Sequence, residues 1–278
     1  MSGLTLIASY PKSGNTWLRA FLASHLRGGQ PIDLNADLAR IGNLTSRSLQ
    51  DFHAGLEHAD LNPQEVALLR PLTSRRIAQE LPGLYKTHDS NLAPPGAREP
   101  AIPAVAINRV IYIVRDPRDV AVSASHHFGW SPATAVDRMA DASFRLGGSS
   151  HRLNMNIEQW VSSWSAHIES WLDAPDLRLL PLRYEDLLAD PLRRFTALCR
   201  FLDLDDTREV VSRSLEASRF SVLAGQEGRT GFRERYRGST APFFREGRVG
   251  GWRTALAPEL VERLVSDQGR VMARLDYL

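Results

Sequence analysis

Hydrophobic and polar positions fall into two regimes along the chain. Short apolar or strand-favouring runs occur at 4–8 ("LTLIA"), 83–88 ("GLYKTH"), 109–116 ("RVIYIVRD") and 177–184 ("LRLLPLRY"). Their length and β-branched content suit buried strands. Between them, apolar residues recur at helical spacing over 63–80, 132–142, 156–173, 191–202, 206–216 and 258–275. A further helix begins near Thr16 and presents Leu18, Phe21, Leu22 and Leu26 on one face. Pro117 directly follows the strongest strand signal and suits the first turn of a helix, where its missing N–H does no harm. Strands alternating with helices predict an α/β chain with three layers, α/β/α, around a central parallel sheet. Trp160, Trp164 and Trp171 recur at four and seven residues and read as a core stripe on one helix. The Pro-rich stretch 91–104 reads as a surface loop, and 225–251, rich in Gly and Arg without periodicity, as a long loop or mobile lid. One domain over 1–278 is the expected organisation.

Composition narrows the function classes. With 43% hydrophobic and 24% charged residues the chain is an ordinary globular one. A net charge of +2 without a Lys/Arg block argues against a nucleic-acid partner. No apolar stretch approaches the roughly 18 residues that span a bilayer, and no signal peptide is read at the N-terminus. The single cysteine, Cys199, sits on an apolar helical face ("FTALCRFL") and reads as a buried bystander; a reducing, cytoplasmic setting fits. His126 and His127 are adjacent, so on a helix they point about 100° apart and do not share a metal. Arg233, Arg235 and Arg237 read as a solvated basic face of the lid, open to an acidic acceptor.

The most informative stretch is "SYPKSGNTW", 9–17, between the first strand and the first helix. A strand, a tight loop and a helix N-terminus form an anion site, because the first helical N–H groups lack internal partners and the helix dipole favours negative charge. Gly14 allows close backbone approach, Ser13, Asn15 and Thr16 add donors, and Lys12 adds a mobile cation. A nucleoside triphosphatase loop would read G-x-x-x-x-G-K-[ST]. Here Lys12 precedes Gly14 by two residues, which counts against ATP with magnesium. The site is therefore P-loop-like rather than a P-loop. In "VRDPRDVAVS", 114–123, Arg115 ends a strand and Ser123 lies on the following helix; the pair can hold a second phosphate unless Arg115 is taken by Asp116 or Asp119. A third segment, "FFREGRVGGW" at 243–252, places Arg245 and Gly247 in a Gly-rich run.

These three motifs in this order resemble those of the soluble sulfotransferases, which move a sulfuryl group from 3'-phosphoadenosine 5'-phosphosulfate (PAPS) to an acceptor hydroxyl or amine. "YPKSGNTW" resembles the family's 5'-phosphosulfate loop, "RDPRDVAVS" its 3'-phosphate motif and "FFREGRVGGW" its C-terminal R-x-G-x-x-G-x-W segment. "YKTH" is similar to the segment with the catalytic histidine and "LRYEDL" to the one whose tyrosine reaches the adenine region. The resemblance spans 5 to about 275, and the short chain is similar to bacterial enzymes that decorate natural products.

The resemblance implies PAPS as co-substrate, PAP (3'-phosphoadenosine 5'-phosphate) as product and no metal. His88 would be the general base, Lys12 would stabilise the leaving phosphate oxygen, and Lys86 would contact the sulfonate. Ser123 and Arg115 would hold the 3'-phosphate with Arg245, Glu246 and Gly247. Trp17 would stack on adenine, with Tyr184, Ser218 and Phe220 lining the base. Two departures stand out: Gly251 where the family has Asp, and Glu246 where Lys is common, which predicts a weaker lid anchor and one fewer positive charge. The acceptor would be a small molecule met by loops within 28–62, 89–107 and 129–155. The resemblance leaves a homodimer open and gives no membrane partner. Two rivals remain: a PAP-binding module without catalysis, and an ATP-dependent small-molecule kinase.

Overall fold

The structure, a computed structural model, describes residues 3–147, 153–236 and 238–278. Among the described residues seven strands follow in chain order: β1 (Leu4–Ser9), β2 (Gly42–Asn43), β3 (Gly83–Thr87), β4 (Ile107–Val114), β5 (Arg145–Leu146), β6 (Gln159–Trp160) and β7 (Leu179–Arg183). Five of them form the central sheet in the order β2-β3-β1-β4-β7. β1 pairs in parallel with β3 from Leu4 opposite Gly83 to Ala8 opposite Thr87, and β2 pairs in parallel with β3. All six residues of β1 are buried, which is why its sequence runs apolar without alternation.

The chain divides into two compact units. The first comprises Met1–Tyr10, Gly42–Tyr112 and Arg138–Pro181. Its core gathers Leu6, Ile7, Ile77, Val110, Ile111, Tyr112, Trp164, Ile168 and Trp171. The helix Pro63–Glu80 starts on a capping box in which Asn62 accepts from the N–H of Glu65 while the Glu65 carboxylate accepts from the N–H of Asn62. The second unit comprises Pro11–Ile41, Ile113–Asp137 and Leu182–Leu278. Its core gathers Leu18, Phe21, Leu22, Phe195, Leu198, Cys199, Val211 and Leu264. There Asp116 caps the helix Pro117–Phe128 by accepting from the N–H of Arg118, and Pro117 occupies its first turn.

Most expected elements form within two residues of their anticipated limits, and four expectations need correction. The helix anticipated over 156–173 is confined to Trp164–Leu172. Ser163 caps it, and the preceding residues pair instead as β6 against β5. Trp164 and Trp171 are therefore core residues of one helix, whereas Trp160 belongs to a strand and is only half-buried. Leu26 lies just past the end of Asn15–His25 and is 57% exposed, so the apolar face ends at Leu22. Residues 225–230, anticipated as loop, complete the helix Phe220–Thr230. The helix Arg47–Ala54 escapes hydrophobic periodicity because the side chains it buries, Gln50 and His53, are polar. Arg237, and 148–152 of one anticipated acceptor loop, lie outside the described residues.

Candidate active site

In the second unit, the loop 11–14 precedes the helix Asn15–His25. Two residues of this loop take left-handed backbone, Lys12 at φ 69° and Gly14 at φ 110°. A Cβ on Gly14 would lie 2.7 Å from Cδ2 of Tyr184, so the loop accepts no side chain there. Ser13 is fully buried and its hydroxyl has no hydrogen-bond partner among the described residues. An orphaned buried donor in a loop this tightly curled fits an anion that accepts from it.

Lys12 and Arg115 dominate the charge of this loop. The half-buried Lys12 ammonium sits 3.9 Å from the centroid of the Phe243 ring. Burial, and then the neighbouring Arg115, pull its pKa down to about 7, against the opposing pull of Glu234 and Glu227. Arg115 donates to the carbonyl oxygens of Lys12 (3.3 Å) and Arg248 (3.1 Å) and stacks on Tyr184 at 4.5 Å. It pairs with neither nearby aspartate. Asp116 instead takes Arg118, and Asp119 accepts from the backbone N–H groups of Gly250 (2.7 Å) and Trp252 (3.0 Å). Trp17 meets Tyr184 and Phe195 edge-on, bridging the loop to the core.

The 225–251 segment is tied by carboxylates. Glu227 accepts from the N–H groups of Phe243 and Phe244, and Glu234 forms a two-pronged pair with the buried Arg19. Arg245 and Arg248 both pair with Glu246. Gly247, at φ 59°, packs so closely on Phe220 that a Cβ would stand 2.3 Å from its ring. The structure thus brings together Lys12, Ser13, Gly14, Arg115, Trp17 and Tyr184 in one group, and Phe220, Arg245, Glu246 and Gly247 in another. Asn15 and Thr16 open the helix beside the loop, and Ser123 is half-buried on Pro117–Phe128. Ser218 turns inward and donates to the carbonyl of Ser214. Glu227 and Glu234 went unassigned in the sequence, and Asp119 was considered only as a partner of Arg115, because an acidic residue that binds groups distant in sequence carries no local signature. Cys199 is buried beside His25, and burial pushes its thiol up to about 12.

In the first unit, Lys86 lies on β3 opposite Ile7 and Asn43, and His88 follows the strand. His88 Nδ1 lies 2.8 Å from the carbonyl oxygen of Ser9 and 3.3 Å from its hydroxyl. A carbonyl only accepts, so Nδ1 carries the proton and Nε2 holds the lone pair of the neutral ring. The backbone N–H of His88 donates to Gln159 (3.0 Å), and its carbonyl faces Nε2 of His167 (3.2 Å). The next residue, Asp89, accepts a bidentate pair from Arg70 at 2.6 and 2.8 Å, with both side chains buried. Thr87 and the N–H of Trp160 also donate to the Asp89 carboxylate. The β5–β6 hairpin that supplies Gln159 and Trp160 was not foreseen in the sequence. Among the described residues no group of three or more His, Cys, Asp or Glu is placed to hold a metal ion.

Comparisons with known proteins identify the family and the fold. A family model described as "Sulfotransferase domain" matches residues 3–276, and the chain belongs to that family of PAPS-dependent sulfuryl transferases. It is 26% identical over 274 residues to Sulfotransferase 1 family member D1 of Rattus norvegicus, covering 96% of this chain and 82% of the relative. It is 25% identical to Cytosolic sulfotransferase 17 of Arabidopsis thaliana, covering 93% and 71%. The fold is that of mouse sulfotransferase SULT7A1 complexed with PAP (TM-score 0.60, 18% identity, 98% and 85% covered). It is also that of retinol dehydratase in complex with androsterone and inactive cofactor PAP (TM-score 0.59, 19% identity, 97% and 80% covered). Among the described residues no helix is long and apolar enough to cross a membrane.

Proposed function

We propose that this sulfotransferase sulfates a hydroxyl, or an amine, of a small-molecule acceptor in the cytoplasm, with His88 as general base and Lys12 stabilising the leaving oxygen. PAPS supplies the sulfuryl group as an activated mixed anhydride. The backbone of 12–16 and the Ser13 hydroxyl bind the 5'-phosphosulfate, and Arg115, Ser123 and Arg245 bind the 3'-phosphate. Trp17, Tyr184, Ser218 and Phe220 hold the base, and Lys86 meets the sulfonate oxygens. His88 Nε2 takes the acceptor proton as the acceptor–sulfur bond forms and the bridging bond to the 5'-phosphate breaks. Lys12 carries the opposing charge at the leaving oxygen. A bound dianion beside it raises its pKa again, so it is cationic when needed.

The observation that carries the assignment of His88 is the 2.8 Å contact between its Nδ1 and the Ser9 carbonyl, which leaves Nε2 as the basic nitrogen. The androsterone in one neighbour's complex and the retinol in another's support a small-molecule acceptor, and the name of the Arabidopsis thaliana relative supports a cytoplasmic setting. Thermal-shift titration with PAP beside AMP and ATP with magnesium tests the nucleotide. A ligand specific to the folded state stabilises by about 2.7 kcal/mol at a hundredfold excess over Kd. A shift with ATP and magnesium but not PAP restores the kinase reading. Transfer of radiolabelled sulfate from PAPS to a panel of phenols, alcohols and amines then tests catalysis; PAP binding without transfer leaves the non-catalytic module.

A further inference from the structure

Behind His88 lies a second histidine that the mechanism above does not use. His167, on the helix Trp164–Leu172, is fully buried. Its Nε2 faces the His88 carbonyl at 3.2 Å and its Nδ1 faces the Tyr112 hydroxyl at 2.7 Å. The carbonyl accepts only, so Nε2 carries the proton and the bare Nδ1 accepts from Tyr112. The arrangement runs in one direction, from Tyr112 O–H through His167 to the His88 carbonyl. Tyr10 meets the His167 ring edge-on at 5.5 Å and helps fix its plane.

We propose that His167, oriented by Tyr112, is a positioning residue for sulfuryl transfer that holds the backbone of His88 so that its ring keeps the Ser9 contact and the productive tautomer. The inference rests on the reading of His88 as the base. Three anchors converge on that one residue: Ser9 on the ring, Gln159 on the N–H and His167 on the carbonyl. His167 is itself oriented by a further buried donor, Tyr112 on β4. Around it stand Tyr112 on β4, Tyr10 after β1, and His88 and Asp89 after β3. Burial, with His88 acting in the same direction, pulls the pKa of His167 down to about 3 against the pull of the hydrogen bond to His88 and of Asp89. The ring is therefore neutral throughout the working pH range, as a ring that accepts at Nδ1 while it donates at Nε2 must be.

The test compares His167→Phe, which keeps a ring without the donor, with His167→Gln, whose amide nitrogen can occupy the Nε2 position. A shift of about 1 Å at a reacting group can cost about 100-fold, so His167→Phe is expected to lower kcat by that order while PAP Kd stays within about twofold. His167→Gln is expected to recover most of the loss. The acid limb of the kcat–pH profile should move in the Phe variant, and long-range nitrogen–proton NMR of His88 should show mixed tautomers instead of one. If His167→Phe fails to fold, Tyr112→Phe removes a single hydroxyl and should lower kcat about five- to tenfold, again at unchanged Kd. Wild-type kcat and pH profile in the foldable variants overturns the inference, as does an equal loss in Phe and Gln accompanied by lost PAP binding. His88→Ala is the separate control: surviving turnover there sinks the assignment of the base, whereas inactive His88→Ala with normal His167→Phe sinks only the positioning role.

Discussion

The two units solve opposite electrostatic problems. Around His88, the proposed base in the first unit, Ser9, Gln159 and His167 contact the ring and its peptide groups as neutral partners, and all three are buried. In the second unit the cations Lys12, Arg115 and Arg245 are each occupied by a partner from the chain itself: the Phe243 ring, two carbonyl oxygens and Glu246. A base must keep one geometry and one tautomer, which neutral buried hydrogen bonds enforce. A nucleotide site must release its cations to an incoming polyanion, and stacking or half-exposed contacts give way at modest cost. Substitutions in the first unit should therefore act on kcat alone, and those in the second on nucleotide affinity and its dependence on pH and salt, with Lys12 acting on kcat as well.

His88→Ala should break the comparison most severely, lowering turnover about 1,000-fold, within the usual range for loss of general-base catalysis. PAP affinity, measured by calorimetry, should stay within about twofold; a parallel loss of binding would show that the two units do not divide the work. Lys12→Ala should follow, with about 100-fold in kcat for a lost oxyanion stabiliser. Lys12 also provides the pH signature of the second unit. Protonated below about 7, it attracts the nucleotide, so PAP affinity should fall as pH rises through that value. The same depressed pKa makes the free protein more stable with rising pH between about 7 and 10.5, because there the unfolded chain holds a proton that the folded chain has lost. Lys12→Met should abolish both trends, which calorimetry and denaturant melts across that window would record.

Asp119→Ala removes the acceptor for two backbone N–H groups at Gly250 and Trp252. Charge-assisted hydrogen bonds of this kind contribute about 1.5–3 kcal/mol, so PAP affinity should weaken about tenfold or more, and hydrogen exchange at those two amides should accelerate. Unchanged exchange would show that the turn is held by something else. The smallest effect sharpens the comparison from the other side. Glu246→Gln relieves Arg245 and Arg248 of a competing carboxylate, and partly exposed pairs of this kind contribute at most about 1 kcal/mol. PAP should bind about two- to fivefold more tightly, with a steeper salt dependence.

How much was legible in the sequence follows the same division. The strand–loop–helix at 4–25 and the strand–proline–helix at 107–128 were readable because apolar runs, capping aspartate and proline are local signals. Their adjacent cations and hydroxyls were therefore readable too. The residues that hold Gly250, Phe243 and His88 in place were not. Asp119, Glu227, Gln159 and His167 act across long sequence separations on backbone groups of other segments, and nothing near them in the chain announces the partner. Gly251 illustrates the consequence. Its missing carboxylate predicted a weaker anchor, yet Asp119 supplies a carboxylate to that same turn from a helix 131 residues away in sequence.

The buried pair between Arg70 and Asp89 constrains how this sequence can change over generations. Its side chains are 3% and 2% exposed, and they reach each other across 19 residues at the strand end that bears His88. Removing one partner of such a pair costs about 3–5 kcal/mol, whereas replacing both with well-packed apolar residues is often neutral or better. Every single-step route to the apolar alternative thus passes through a variant that has lost a large part of a typical domain's stability. The cost of a single substitution thus says nothing about whether the pair is the best solution for that site.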